Sequence, residues 1–132
     1  MAATARAQAH GGTETILLAE DEASVREFVR EVLTGAGYHV LDGGAPTDAL
    51  ALAAAHPGPI HLLLSDVVMP QLSGPELASR LHASRPGVPV LFMSGYPGDR
   101  LAGERGRVLT KPVRPSDLLD AIRETLDAAR PA

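Results

Sequence analysis

The sequence predicts an α/β protein built on a doubly wound, five-stranded parallel sheet. Two observations carry this. Short apolar runs recur five times, the central ones apolar on both faces, as in strands covered by helices on either side. Between them lie stretches with helical spacing or helix-start signals, so strands and helices alternate along the chain and the crossovers are right-handed. At 132 residues with 45% hydrophobic content, the chain makes one domain that can bury a core without disulfide or structural metal.

Residues 15–19 (TILLA) form the first strand and stop abruptly at Glu20, Asp21 and Glu22. Val25, Phe28, Val29, Val32 and Leu33 then make a helical stripe that ends at Gly35 and Gly37. Tyr38 to Leu41 reads as the second strand, closed by Gly43 and Gly44. Thr47 is expected to cap an Ala/Leu helix that ends before Pro57. Ile60 to Ser65 is the third strand and runs straight into Asp66. Ser73 and Glu76 have capping-box spacing, with Pro75 in the first turn of a helix that ends near Ser84. Val88 to Ser94 is the fourth strand. Residues 95–107 carry Pro97 and glycines at 95, 98, 103 and 106, so the fourth helix is expected to be short. Val108 to Thr110 is the last strand, and Ser116 is expected to cap a final helix with Leu119, Ile122 and Leu126 facing the core.

Composition removes several functions. There is no cysteine, so zinc-thiolate sites, disulfides and thiol nucleophiles are excluded. A net charge of −4 argues against a nucleic-acid-binding face. No apolar run approaches the roughly 18 residues of a membrane span, and residues 1–12 lack the apolar core of a secretory signal. Those residues are expected to be a flexible tail, residues 13–130 the domain, and the protein cytoplasmic. Of 12 basic residues only Lys111 is lysine, the compact point charge that suits a phosphate or carboxylate partner.

Ligand sites of open α/β sheets lie beyond the carboxyl ends of the strands. Here those ends carry Glu20-Asp21, Asp66, Ser94 and Thr110-Lys111. Converging carboxylates repel one another, and hard oxygen ligands suit Mg²⁺, while a lysine and a hydroxyl opposite make a phosphoryl cradle. The motifs LLAEDE (17–22), DVVMPQLSG (66–74), LFMSGY (91–96) and LTKP (109–112) appear in this order, each at a strand end. Together they resemble the receiver domain of bacterial two-component response regulators over nearly all of residues 13–130. The GTETILLAEDE entry and the SGY tripeptide look most like receivers of hybrid sensor histidine kinases.

The resemblance implies a flavodoxin-like (βα)5 fold with strand order 2-1-3-4-5. It implies Asp66 as phospho-acceptor, Asp21 as a direct Mg²⁺ ligand, Glu20 acting through water and the Val68 backbone carbonyl as a third protein ligand. Ser94 and Lys111 match the phosphate-binding pair, and Lys111-Pro112 a position that is usually cis. Val68 and Tyr96 match positions flanking the water that hydrolyses the acyl phosphate. Val108 stands where the family usually places a mobile aromatic, so that switch is altered or absent here. The implied partner is a sensor histidine kinase or histidine phosphotransfer domain, with a further downstream partner, no nucleic acid and no membrane.

Each residue also has an ordinary reading. Glu20, Asp21 and Glu22 could be a solvated acidic helix start, Asp66 a cap, and Ser94-Gly95 a turn. Met69 and Met93 read as core filler, His61 as a packing residue, and Arg100, Arg105 and Arg107 as a solvated loop. Two other functions compete with a signalling module. One is a metal-dependent phosphohydrolase working through an aspartyl phosphate, but its general-acid position falls on Val68, which transfers no proton. The other is a phosphorylation-independent interaction domain, which the complete Glu20, Asp21, Asp66, Ser94 and Lys111 set disfavours.

Overall fold

The computed structural model describes residues 11–95 and 107–129. Five strands form one parallel sheet: β1 (Thr15–Ala19), β2 (His39–Asp42), β3 (Leu62–Asp66), β4 (Val90–Ser94) and β5 (Arg107–Thr110). Their order is β2-β1-β3-β4-β5, the one the resemblance implied. Four helices appear among the described residues: α1 (Ala23–Gly35), α2 (Pro46–Ala55), α3 (Gly74–Ser84) and α4 (Pro115–Ala129). The short helix expected between Gly95 and Arg107 falls outside the described residues.

Alternation along the strands sends side chains to two cores. Leu17, Ala19, Leu63 and Phe92 face α2 and α3, where Ala49, Ala53, Leu77 and Leu81 close over them. Ile16, Leu18, Leu62, Leu64, Leu91 and Met93 face α1 and α4, against Val29, Leu33, Leu118, Ile122 and Leu126. Met69 and Met93 are both buried, as filler should be. Both faces of β1, β3 and β4 are covered, which is why these strands read as unbroken apolar runs.

Several local expectations are corrected. Thr47 is not a cap: α2 starts at Pro46 after Ala45, and no side-chain cap bond is present. Ser116 likewise lies inside α4, which starts at Pro115 and closes its first turn with Leu118 N–H to Arg114 O at 2.9 Å. In both cases proline, with its fixed φ and no N–H to satisfy, begins the helix ahead of the hydroxyl residue. That start puts Leu118 and Ala121 in the core and leaves Leu119 half-buried. The α1 stripe is narrower than its spacing implies, since Val29 and Leu33 are buried but Phe28 is 44% exposed. His61 precedes β3, is exposed, and accepts the Thr15 N–H on Nδ1 at 2.9 Å. The expected tail also ends sooner than residue 12: Gly11 is buried, and Gly12 donates to Ala36 O at 3.2 Å. Arg107, read as part of a solvated loop, instead opens β5 and pairs with Glu124 at 2.6 Å.

Among the described helices only α3 has its cap read in full from sequence. Ser73 Oγ accepts from Glu76 N–H and Glu76 Oε1 from Ser73 N–H, both at 3.2 Å.

Candidate functional site at the carboxyl ends of the strands

The sheet changes winding direction between β1 and β3, and the crevice above that switch point collects the polar strand ends. Glu20 follows β1 and is fully buried, Asp66 ends β3 at 5% exposure, and Ser94 ends β4 at 5%. Asp21 is exposed at the rim. Carboxylate oxygens of Glu20, Asp21 and Asp66 all lie within 4.8 Å of one another. Lys111 follows β5, and its N–H donates to Ser94 O at 2.7 Å, which ties the fourth and fifth strand ends together. The Lys111–Pro112 bond is cis.

Lys111 bridges two of the three acids. Its Nζ donates to Glu20 Oε1 at 2.7 Å and lies 2.6 Å from Asp66 Oδ1, the latter an ion pair without hydrogen-bond geometry. Glu20 is held at its other oxygen too, where Oε2 accepts the Glu22 N–H at 3.1 Å. Burial opposes ionisation of Glu20, but its contacts with Asp66, Lys111 and the Glu22 N–H outweigh it and hold the carboxyl below the usual range. Asp66 goes the other way. Burial pushes it up to about 8, the adjacent Glu20 adds to this, and Lys111 only partly opposes it. Burial would lower the Lys111 ammonium, yet Asp66 and Glu20 together raise it.

Buried Asp66 Oδ1 thus has Lys111 beside it but no hydrogen-bond partner, and two further carboxylates stand close by. Oxygen donors of this charge and spacing suit a small hard divalent cation. Glu20, Asp21 and Asp66 are the residues whose carboxylate oxygens could hold such an ion.

The segment after Asp66 is shaped by residues that sequence reasoning passed over. Ser65 Oγ donates to Asp66 O at 2.8 Å, and Gly74 N–H returns to Val67 O at 2.8 Å. A Cβ on Gly74 would collide with Asp66 O and stand 3.0 Å from Phe92 Cε1, so the loop closes only with glycine there. Gln71 adopts φ 75°, and its Oε1 accepts from Thr47 Oγ1 at 3.1 Å. The closing glycine of DVVMPQLSG was visible in the motif; the Gln71 contact had no sequence signal. Val68 projects outward at 60% exposure. Val108 is half-buried against the core beneath α2 and α3. Tyr96 lies outside the described residues.

The fold opens an acidic crevice at its switch point, and comparison with known proteins gives the class. A sequence profile of the response regulator receiver domain matches residues 16–123. The chain belongs to the response regulator receiver family of two-component signalling. It is 38% identical over 121 residues to the response regulator receiver protein CpdR of Brucella abortus, covering 86% of this chain and 98% of that protein. It is 32% identical to the sensor kinase CckA of the same organism over 88% of this chain, which spans 13% of that kinase. Among solved structures, the receiver domain of the hybrid histidine kinase CckA superposes with TM-score 0.74 at 34% identity, covering 85% of this chain and 98% of that one. A CheY-like receiver domain protein from Methanospirillum hungatei superposes with TM-score 0.78 at 28% identity, covering 89% and 97%. The likeness to receivers of hybrid kinases seen in the motifs therefore extends to a solved example. Among the described residues no helix is long and apolar enough to cross a membrane.

Proposed function

We propose that this domain accepts a phosphoryl group on Asp66 from a protein phosphohistidine, with Mg²⁺ as the ion of its acidic cluster, and passes the change to a partner. One observation carries the reading: three carboxylates from two strand ends converge within 4.8 Å beside a lysine that already touches the buried acceptor. An Asp66 oxygen attacks the phosphorus, the O–P bond forms as the P–N bond breaks, and the donor imidazole leaves with the electron pair and takes up a proton. Mg²⁺ bound by Asp21 and Asp66, with Glu20 through water and the Val68 carbonyl, would supply charge neutralisation for the phosphoryl oxygens. Lys111, held at 2.6 Å from Asp66, is placed to pair with one of those oxygens, and Ser94 at the end of β4 to donate to another.

The donor is a sensor histidine kinase or histidine phosphotransfer domain, which also places the protein in the cytoplasm. Support comes from a groove of about 430 Å³ beside Lys111, lined by Val25, Phe28, Met93, Pro112 and Val113, an apolar surface that an incoming protein would cover. The domain turns over no substrate of its own; it catalyses its own phosphotransfer and a slow loss of phosphate.

Acetyl phosphate with Mg²⁺ should add one phosphoryl group by intact mass, and EDTA or Asp66→Asn should abolish it. Labelling of Asp66→Asn at the wild-type rate would show the acceptor to be elsewhere.

A further inference from the structure

Arg26 on α1 makes a two-pronged contact that none of the motifs includes. Its Nη1 donates to the main-chain carbonyl of Glu20 at 3.0 Å, and its Nε lies 3.2 Å from Asp42 Oδ1 at the end of β2. Neither partner waves in solvent: the Arg26 and Asp42 side chains are 28% and 30% exposed. Arg30 lies 3.6 Å from the other Asp42 oxygen, a looser and more exposed contact. The guanidinium also lies against the turn after β2, where a Cβ on Gly44 would stand 3.2 Å from Nη1.

The carbonyl that Arg26 holds belongs to the peptide unit joining Glu20 to Asp21. A peptide unit is planar, so holding its oxygen restricts rotation of the plane and with it the direction in which Asp21 leaves the chain. The Glu20 carboxylate is pinned by Lys111 and the Glu22 N–H, whereas Asp21 is exposed and depends on its backbone for aim. We propose that Arg26, braced by Asp42, is a positioning residue that aims Asp21 at the cation site. This rests on the cation reading given above. The guanidinium suits the task because Nε and Nη1 form a rigid fork, whereas a lysine can serve only one of the two acceptors at a time.

Charge and geometry make opposite forecasts here, which gives a clean test. Removing a cation near three carboxylates should tighten Mg²⁺ binding if only charge matters. Losing the positioning contact should weaken it, and outer contacts of metal ligands typically carry about tenfold or more in affinity. Mg²⁺ binding to the full chain is measured by calorimetry, and thermal melting is followed in EDTA. Arg26→Met should bind Mg²⁺ about tenfold more weakly. Arg26→Lys, which keeps the charge and is the milder change for folding, should also bind more weakly. Arg30→Met should bind as the wild type does, since no hydrogen bond or ion pair joins Arg30 to Glu20 among the described residues. Wild-type affinity in Arg26→Met or Arg26→Lys overturns the proposal, whatever happens to the melting temperature. An equal loss in Arg30→Met overturns it too, by showing a general surface effect. If the wild-type chain binds no Mg²⁺, the cation site itself fails and the positioning role falls with it.

Discussion

Single atoms decide much of the behaviour around Asp66. A Cβ on Gly74 has nowhere to go, because Asp66 O and Phe92 Cε1 already occupy its space and both are fixed in the core. Gly74→Ala should therefore cost about 1–3 kcal/mol in urea unfolding, as overpacking does, and slow phosphorylation by shifting the acceptor strand. A melt within error of the wild type would refute that. Val68 acts at a different stage. Its 60% exposed isopropyl group stands two residues after the acceptor and can neither donate to nor accept from a water. Val68→Asn supplies an amide there and should shorten the lifetime of the acyl phosphate, read as phosphate release after removal of the donor. Equal lifetimes would show that this position does not face the hydrolytic water. The motifs made Asp66, Asp21 and Lys111 legible because each interrupts an apolar run at a strand end. Arg26 was not legible, because its acceptor is a backbone carbonyl and any helix-surface arginine looks the same in sequence.

Among the elements, α4 shows best where local reading stops. Its apolar spacing was plain, but its start was misplaced by two residues because Pro115 outranks Ser116. Its tie to the other end of the chain was invisible. Arg123 donates through Nη2 to Glu14 Oε2 at 2.6 Å and through Nη1 to Gly11 O at 3.0 Å, contacts between residues more than a hundred positions apart. These bonds anchor the lead-in to β1, which the sequence had assigned to a tail through residue 12. Arg123 holds the Glu14 carboxyl below its ordinary 4.5 despite partial burial, and the Glu14 side chain is only 15% exposed. A depressed carboxylate stabilises the fold above its unfolded pKa and loses that contribution as pH falls through the folded one. Glu14→Gln should therefore be less stable than the wild type at pH 7. The gap should close once the pH drops below 4.5, complete when the folded carboxyl is protonated. Urea midpoints across that range test it, and a gap that persists unchanged at the acid end would show that the pair contributes by packing alone.

For the whole molecule, the site is a local cost that the rest of the fold carries. Both cores are apolar and nearly fully enclosed, yet the crevice between them holds a buried carboxylate oxygen without a hydrogen bond and a second carboxyl beside it. One lysine cannot offset three acids, and burying an under-satisfied charge opposes folding. Asp66→Asn removes an acid whose ionisation burial and Glu20 oppose, and puts a neutral amide in its place. The variant should therefore unfold at higher urea than the wild type when EDTA is present, although it is inactive as an acceptor. A divalent cation should reverse the order. It binds the folded carboxylate cluster and not the dispersed unfolded chain, so Mg²⁺ at ten times its Kd adds about 1.4 kcal/mol to a protein that can hold it. The wild type should gain this increment, while Asp66→Asn, short of one direct ligand, should gain much less. Urea midpoints of both proteins in EDTA and in Mg²⁺ form a four-way comparison. If Asp66→Asn is the less stable protein without metal, the crevice is not strained by its charge, and the Lys111 bridge alone satisfies it.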